Sequence, residues 1–420
     1  MKNRRVLISH GALLALIWIP AISRADTVLD WNAIMQSTVS SQTPFPQARF
    51  AAITQLAVFE AVNAITRDYQ PYLGTITAPA NASVDAAAAT AAHDVLKNYF
   101  PPGAAMLDAA LATSLATIPN SPAKMAGIAV GQSAAAAMIA ARANDGSTPS
   151  QFFLPSSSQP GMWQPTAGCT AAGGAFFQWK SVTPFGIRTA SQFRLSPPPE
   201  VASARYAVAF NEVKSVGAAD SPQRPQDRTD VARFYAVTTP VMVFNDAARQ
   251  LSIAQGKSLS ENAHDLALIN MAISDGAVAT FDTKYHYNFW RPETAILNAG
   301  SDGNDATQPD ATFTPLITTP CFPGYPSAHA TLSNAAREVM EQLYAGGQLS
   351  ITLTNSSVAG VTLKYTALSQ ITDDIDDARV YGGIHFRTDQ DAGTQLGRRI
   401  GQYVLLHNLR SANEGCSVNR

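Results

Sequence analysis

The sequence predicts an all-α protein built as a pair of helical bundles, with at most one small β-hairpin. Two observations carry that reading. Apolar residues recur three and four apart over most of the chain, the spacing of a helix face turned towards a core. Strand-type alternation is confined to 349–353 and 361–365, which pair naturally as a hairpin.

The bulk properties set the limits. A chain of 420 residues with 46% hydrophobic and 14% charged residues can bury a large core, in one domain or two. A formal net charge of -2 gives no electrostatic case for a nucleic-acid partner, so any bound oxyanion must be drawn by local clustering. Residues 1–25 read as a signal peptide: Lys2, Arg4 and Arg5 precede an apolar run over 6–22, and Ser23-Arg24-Ala25 is a small-x-small cleavage site. The expected mature chain begins near Asp26, is exported to the periplasm or beyond, and carries no membrane span. In that compartment one disulfide is plausible among Cys169, Cys321 and Cys416, with the pairing open. Their spacings fit no zinc site. Cys321 has no adjacent base and reads as structural.

The first half, residues 26–200, is expected to form one bundle and a long loop. A helix over 46–65 shows Phe50, Ile53, Ala57, Ala61 and Ala64 on a buried face. Ala-rich helices follow over 84–99 and 104–116, and another opens at Ser121-Pro122 as N-cap and N1 and stops near Gly146. His93 reads as a surface or core histidine. Over 147–199 the periodicity gives way to Gly, Pro, Ser and aromatics, as in long loops that carry function or wrap a surface. Phe152, Phe153, Trp163, Phe176 and Phe177 either roof a pocket there or pin the loop to the bundle.

The second half, residues 201–420, carries the chemistry. Helices are expected over 201–216 and 227–235. A longer one opens at Ser258 with Glu261 as a capping box and runs towards Phe281. Its continuation, FDTKYHYNFWRPETA, places Lys284 and Arg291 two helical turns apart, pointing one way, before Pro292 ends or bends the helix. Another helix starts at Ser327 with Ala328, Leu332, Ala335, Val339 and Leu343 inward, closed by Gly346-Gly347. Its first turn has backbone N–H groups without intrahelical partners and the positive end of the dipole, and His329 stands inside it. After the hairpin, a helix over 367–381 ends at Gly382-Gly383. Thr388 with Asp391 is expected to open the last helix, leaving His385 in the intervening loop.

Lys284 and Arg291, Ser327 and His329, Arg379 and His385 therefore share a theme. Three cations and a helix N-terminus suit a tetrahedral oxyanion, and two histidines offer one group to bond its central atom and one to move protons.

In order and spacing these stretches resemble the signature of the superfamily that joins vanadium-dependent haloperoxidases to histidine-dependent acid and lipid phosphatases: Lys-x6-Arg-Pro, Pro-Ser-Gly-His and Ser-Arg-x5-His-x3-Asp. Here they read Lys284 to Arg291-Pro292, Pro326-Ser327-Ala328-His329, and Ala378-Arg379 to His385 and Asp389. Ala328 replaces a glycine, keeping its N–H but restricting the backbone, and Ala378 replaces a serine. The resemblance implies the two-bundle haloperoxidase architecture, with the site near the mouth of the C-terminal bundle. It also implies that His385 bonds vanadium, or attacks phosphorus in a phosphatase. Lys284, Arg291 and Arg379 would neutralise equatorial oxygens, Ser327 would add a hydroxyl and Ala328 an N–H, His329 would serve as acid/base, and Asp389 would orient a histidine. Phe281 and Phe322 fall where the family places residues near the halide.

The implied cofactor is vanadate, or phosphate in the same pocket. The implied reaction oxidises halide with hydrogen peroxide to hypohalous acid, which halogenates a small organic acceptor. The surroundings KYHYNFWRP, FPGYPSAH and RVYGGIHFRTD resemble the soluble haloperoxidases. The alternative is a periplasmic phosphomonoesterase acting through a phosphohistidine at His385. A non-catalytic oxyanion-binding protein needs no proton-transfer histidine, so His329 argues against it. His264, His286 and His407 match no motif position and read as structural.

Overall fold

The computed structural model describes residues 26–170 and 172–412. The expected signal segment and Cys416 lie outside them. Thirteen α-helices and one two-stranded sheet are found among the described residues, the all-α class with a small hairpin that the sequence predicts.

In chain order the helices of the first half are α1 (Thr27–Val39), α2 (Pro44–Thr66), α3 (Val84–Tyr99), α4 (Ala104–Ala116) and α5 (Pro122–Ala141). The predicted spans of α3 and α4 agree with the structure, whereas α2 starts two residues earlier than expected, on Pro44 behind Thr43. Asp26 caps α1 by accepting the Leu29 N–H at 2.9 Å; this helix was not predicted. By length and composition α2 and α5 are apolar enough to cross a membrane, which the sequence reading had not recognised. For α2 the reason is internal: its apolar window is 83% buried, as in a core helix. Gly127 and Gly131 let α5 lie directly on α3, since a Cβ at either would stand 2.3 Å from the Ser83 carbonyl or 2.5 Å from that of Ala87.

The long loop follows as expected and is tied down at several points. Buried Asp275 accepts the N–H groups of Phe185, Gly186 and Ile187 at 2.6–2.8 Å, satisfying backbone that would otherwise be orphaned. Cys169 is bonded to Cys321, resolving the pairing left open by the sequence.

The second half comprises α6 (Ala204–Gly217), α7 (Gln226–Val237), α8 (Pro240–Gln255), α9 (Leu259–Tyr287), α10 (Pro292–Asn298), α11 (Ala328–Leu343), the antiparallel strands β1 (Ile351–Thr354) and β2 (Thr362–Tyr365), α12 (Leu368–Tyr381) and α13 (Arg387–His407). The helix α8, headed by Thr239-Pro240 and closed by left-handed Gly256, was not predicted. Nearly all of α9 is buried, because α2, α8, α11 and α13 pack around it. Along α13, glycines recur every fourth residue at Gly393, Gly397 and Gly401. A Cβ at these positions would come within 2.7, 2.3 and 2.5 Å of the Ser327, Thr331 and Ala335 carbonyls of the neighbouring chain segment, so α13 and α11 touch backbone to backbone. That approach brings the start of α13 against the start of α11.

Two sequence expectations are corrected. The long helix does not continue to Pro292: Asn288 adopts a left-handed conformation (φ 52°), its N–H closes on the Lys284 carbonyl at 2.8 Å, and Pro292 opens α10. Lys284 and Arg291 therefore do not share a helix face. The last helix opens on Phe386, not Thr388, because the Asp389 carboxylate reaches back to the Phe386 N–H at 3.2 Å.

Candidate active site

The three motif stretches meet where the ends of α9, α11 and α12 converge on the start of α13. Lys284 comes from the last turn of α9 and is fully buried, its ammonium donating to the Pro323 and Gly324 carbonyls at 2.7 Å each. Gly324 must be small here, since a Cβ would lie 2.8 Å from the Trp290 carbonyl and 3.4 Å from Asp389 Oδ2. Arg291, fully buried in the extended link before α10, donates from Nε to the Phe322 carbonyl at 2.9 Å and from Nη1 to the Ile384 carbonyl at 3.0 Å.

Arg291 Nη1 also stands 2.7 Å from His385 Nε2. A guanidinium is always protonated and only donates, so Nε2 offers its lone pair and the ring proton belongs on Nδ1. There it is donated to Asp389 Oδ2 at 2.9 Å. Asp389 holds the segment together from both ends, because its backbone carbonyl accepts the Ser327 N–H at 2.9 Å. Ser327 is the N-cap of α11 and accepts the Ala330 N–H at 3.4 Å; its hydroxyl proton can still be given elsewhere. Ala328, the first residue of α11, supplies a first-turn N–H. His329 is half-buried in the same turn. Arg379, at the end of α12, gives one donor to the Tyr235 carbonyl at 3.3 Å.

The electrostatics are severe. Burial depresses the Lys284 ammonium well below its ordinary range, and neighbouring Arg291 adds to the effect. The guanidiniums of Arg291 and Arg379 are pushed down to about 9 and about 10, again chiefly by burial. Burial, then the surrounding cations, keep both His329 and His385 neutral well below the usual imidazole range. Burial raises Asp389 against the pull of Lys284 and Arg291. Three cations thus face a single carboxylate, and Arg291 Nη2, Arg379 Nε and Asp389 Oδ1 are buried without a partner. Uncompensated buried charge is costly and unpaired buried donors add to the cost, so this donor set fits an oxyanion of about two negative charges. Vanadate and phosphate both meet that description.

Beside these groups opens a cavity of about 530 Å³, lined on one side by Ala328, His329, Arg379 and His385. Its remaining wall is largely apolar and includes Phe45, Phe176, Val237, Ile317 and Phe322. Of the two expected halide neighbours, Phe322 faces this cavity. Phe281 is wholly buried behind it, its ring centroid 5.4 Å from that of Phe322. Phe176 lines the cavity, while Phe153 and Phe177 pack on Tyr285 and secure the loop. Thr43, Pro44 and Phe45, at the start of α2, were not anticipated; no spacing connects them to the motifs, and only the fold brings them there. His264 stacks on Tyr69 and bonds Asp265, and His407 stacks on Tyr403.

Residues 264–414 match the family model described as the VCPO second helical-bundle domain. The vanadium chloroperoxidase of Curvularia inaequalis is 25% identical over 187 residues, 38% of this chain and 31% of that protein, so the match spans under a third of the relative's length. Among solved structures, the first bacterial vanadium-dependent iodoperoxidase superposes with a TM-score of 0.76 at 23% identity, covering 91% of this chain and 96% of the other. An apo-type bacterial vanadium-dependent chloroperoxidase does so with a TM-score of 0.73 at 17% identity, over 88% and 95%. The likeness of fold therefore extends through the N-terminal half, where the sequence resemblance was only compositional. Residues 264–414 thus resemble the second helical-bundle domain of the vanadium chloroperoxidases, and the described chain as a whole shares the fold of the bacterial vanadium haloperoxidases.

Proposed function

We propose that this protein is a vanadate-dependent haloperoxidase that uses hydrogen peroxide to oxidise halide to a hypohalous-acid equivalent. The observation that carries the reading is the set of three buried cations with one carboxylate, Asp389, in which Arg291 Nη2 and Arg379 Nε have no partner. Bound vanadate would supply a Lewis-acid centre that activates peroxide without changing oxidation state.

The chain's own residues then have distinct tasks. Lys284, Arg291 and Arg379 hold the oxyanion and spread its charge, joined by the Ser327 hydroxyl and the Ala328 N–H. With its proton held on Nδ1 by Asp389, His385 can present its Nε2 lone pair to the central atom once the Arg291 Nη1–H that occupies it turns to the oxyanion. His329, neutral at working pH and set on the cavity wall, is free to accept a proton from an incoming hydroxyl or peroxide group and return it later. Phe322 shields this wall from water. Phe281, buried behind it, would act only by supporting Phe322. The small organic acceptor receives the oxidised halogen.

Export belongs to the same proposal: the Cys169–Cys321 bond is of a kind that persists in oxidising compartments.

The same lone pair at His385 would serve as a nucleophile towards a phosphate ester, so the test must separate the two chemistries. Metal-free protein is assayed with peroxide, bromide and a phenolic acceptor before and after orthovanadate, in parallel with nitrophenyl phosphate hydrolysis. Halogenation that requires vanadate and is abolished in His385→Ala is the expected result. Phosphate-ester cleavage by the metal-free protein, inhibited by vanadate and without halogenation, would make it a phosphatase.

A further inference from the structure

Of the three cations in the pocket, Arg379 is the one whose aim depends on a distant part of the fold. Lys284 and Arg291 each donate to two backbone carbonyls, Pro323 and Gly324 for the first and Phe322 and Ile384 for the second. Among the described residues Arg379 makes one such bond, from Nη1 to the Tyr235 carbonyl at 3.3 Å, while its Nε has no partner. Tyr235 lies in the last turn of α7, where carbonyls lack intrahelical partners and the helix dipole is negative, so a guanidinium is drawn to it. A flexible side chain held at one point is aimed by that point.

The carbonyl is itself fixed by a chain of bonds that runs away from the pocket. The Tyr235 ring is wholly buried, and its hydroxyl stands 2.8 Å from that of Tyr365 in β2. Tyr365 donates to Asp374 Oδ2 at 2.8 Å, so its oxygen is left to accept and the proton between the two phenols belongs to Tyr235. Burial raises both phenols, which keeps both protons in place. Asp374 stands on α12, the helix that also carries Arg379, and its other oxygen accepts Arg228 Nη1 at 2.8 Å. Arg228, in the first turn of α7, reaches Asp377 Oδ2 of α12 as well, at 3.1 Å. Thus α7 is fastened to α12 near its head by Arg228 and at its tail through Tyr235 and the hairpin. None of Tyr365, Asp374 and Arg228 lines the cavity.

We propose that Tyr365 is a positioning residue for the oxyanion site: by holding the Tyr235 phenol it sets the carbonyl that aims Arg379, and so tunes the affinity for an ion it does not contact. The proposal rests on Arg379 holding vanadate or phosphate, as in the functional reading above.

The experiment is a double-mutant cycle. Orthovanadate is titrated calorimetrically into metal-free wild type, Tyr365→Phe, Arg379→Gln and the double variant. Tyr365→Phe keeps the ring and removes only the hydroxyl, so the core stays filled. Tyr344→Phe is the control, because it breaks a buried bond to the Ser252 hydroxyl at 3.0 Å that has no part in this chain. The affinity is expected to fall about three- to tenfold in Tyr365→Phe, the worth of one neutral hydrogen bond, and to stay unchanged in Tyr344→Phe. Added to Arg379→Gln, Tyr365→Phe should cost nothing further, since the two act through one contact. Equal affinity in Tyr365→Phe, an undiminished loss in the Arg379→Gln background, or a matching loss in Tyr344→Phe overturns the proposal. If the wild type takes up no vanadate, the functional reading fails and takes the proposal with it. If the wild type binds and the cycle shows no coupling, only the positioning role has failed. Coupling in a protein that binds vanadate and never halogenates supports the positioning role while the haloperoxidase reading falls.

Discussion

At the scale of single residues, the chemistry of the pocket rests on which atom carries which proton. His385 is constrained from both sides, by a guanidinium that can only donate and a carboxylate that accepts, so its tautomer follows from its neighbours. Arg379 is the cation least bound to protein groups, with one bond to the Tyr235 carbonyl and a free Nε. Its share of oxyanion binding should therefore be the easiest to isolate. Arg379→Gln is expected to weaken orthovanadate and phosphate binding alike by roughly ten- to a hundredfold, the worth of one or two charge-assisted bonds, as measured by calorimetry. The motif residues were legible in the sequence because their spacing is tied to helix ends. The cavity walls were not. Phe45 and Val237 lie far from the motifs in sequence and carry no polar signature, so only tertiary packing identifies them.

At the scale of elements, the site is positioned by how closely α11 and α13 approach. The Gly393, Gly397 and Gly401 stripe sets that distance, and with it the bond from the Ser327 N–H to the Asp389 carbonyl. In Gly397→Ala the added methyl meets the Thr331 carbonyl at 2.3 Å and the Ala335 nitrogen at 2.9 Å, and backbone cannot step aside as a side chain can. The expected cost is about 1–3 kcal/mol in stability, read from denaturant titration, with weaker vanadate binding as the two helix starts separate.

A second pair of helices offers a pH test. His93 on α3 bonds Asp94 at 2.7 Å and Asp108 of α4 at 2.8 Å, while Asp108 also holds Lys97. Burial opposes its charge, but the two carboxylates prevail and raise it above the ordinary imidazole range. A group raised on folding contributes its stability in full below the unfolded value, and loses it as pH rises through the folded one. The difference in melting temperature between wild type and His93→Gln should accordingly be largest in mildly acidic solution and shrink towards alkaline pH.

Helix identity was readable from periodicity and helix ends less so. Ser258 and Glu261 announced α9 correctly, whereas its end depended on Asn288 taking a left-handed conformation that its neighbours do not advertise. The Thr239-Pro240 start and Gly256 stop of α8 were present in the chain and went unread.

For the whole molecule, the two halves are joined covalently as well as by packing. The Cys169–Cys321 bond spans 152 residues and anchors the long loop beside the site. Reducing it should lower stability by about 2–4 kcal/mol, visible as a drop in the denaturation midpoint under reductant that a Cys169→Ser, Cys321→Ser double variant reproduces without reductant. The all-α class and the general run of helices could be read from the sequence, since they follow from local pattern. The disulfide partner could not, because any pairing of three cysteines satisfies composition equally.

The buried cluster of Lys284, Arg291 and Arg379 has a consequence for handling the protein at the bench. A pocket that sets these three cations against the one carboxylate of Asp389 would be completed by an anion, and an unfolded chain has no such site. Orthovanadate or inorganic phosphate should then act as a folding ligand, adding about 2.7 kcal/mol at a hundred times its dissociation constant. The melting temperature would climb with the logarithm of anion concentration. A preparation dialysed into phosphate buffer would look sturdier than one in an amine buffer, and would take up vanadate only as fast as phosphate departs.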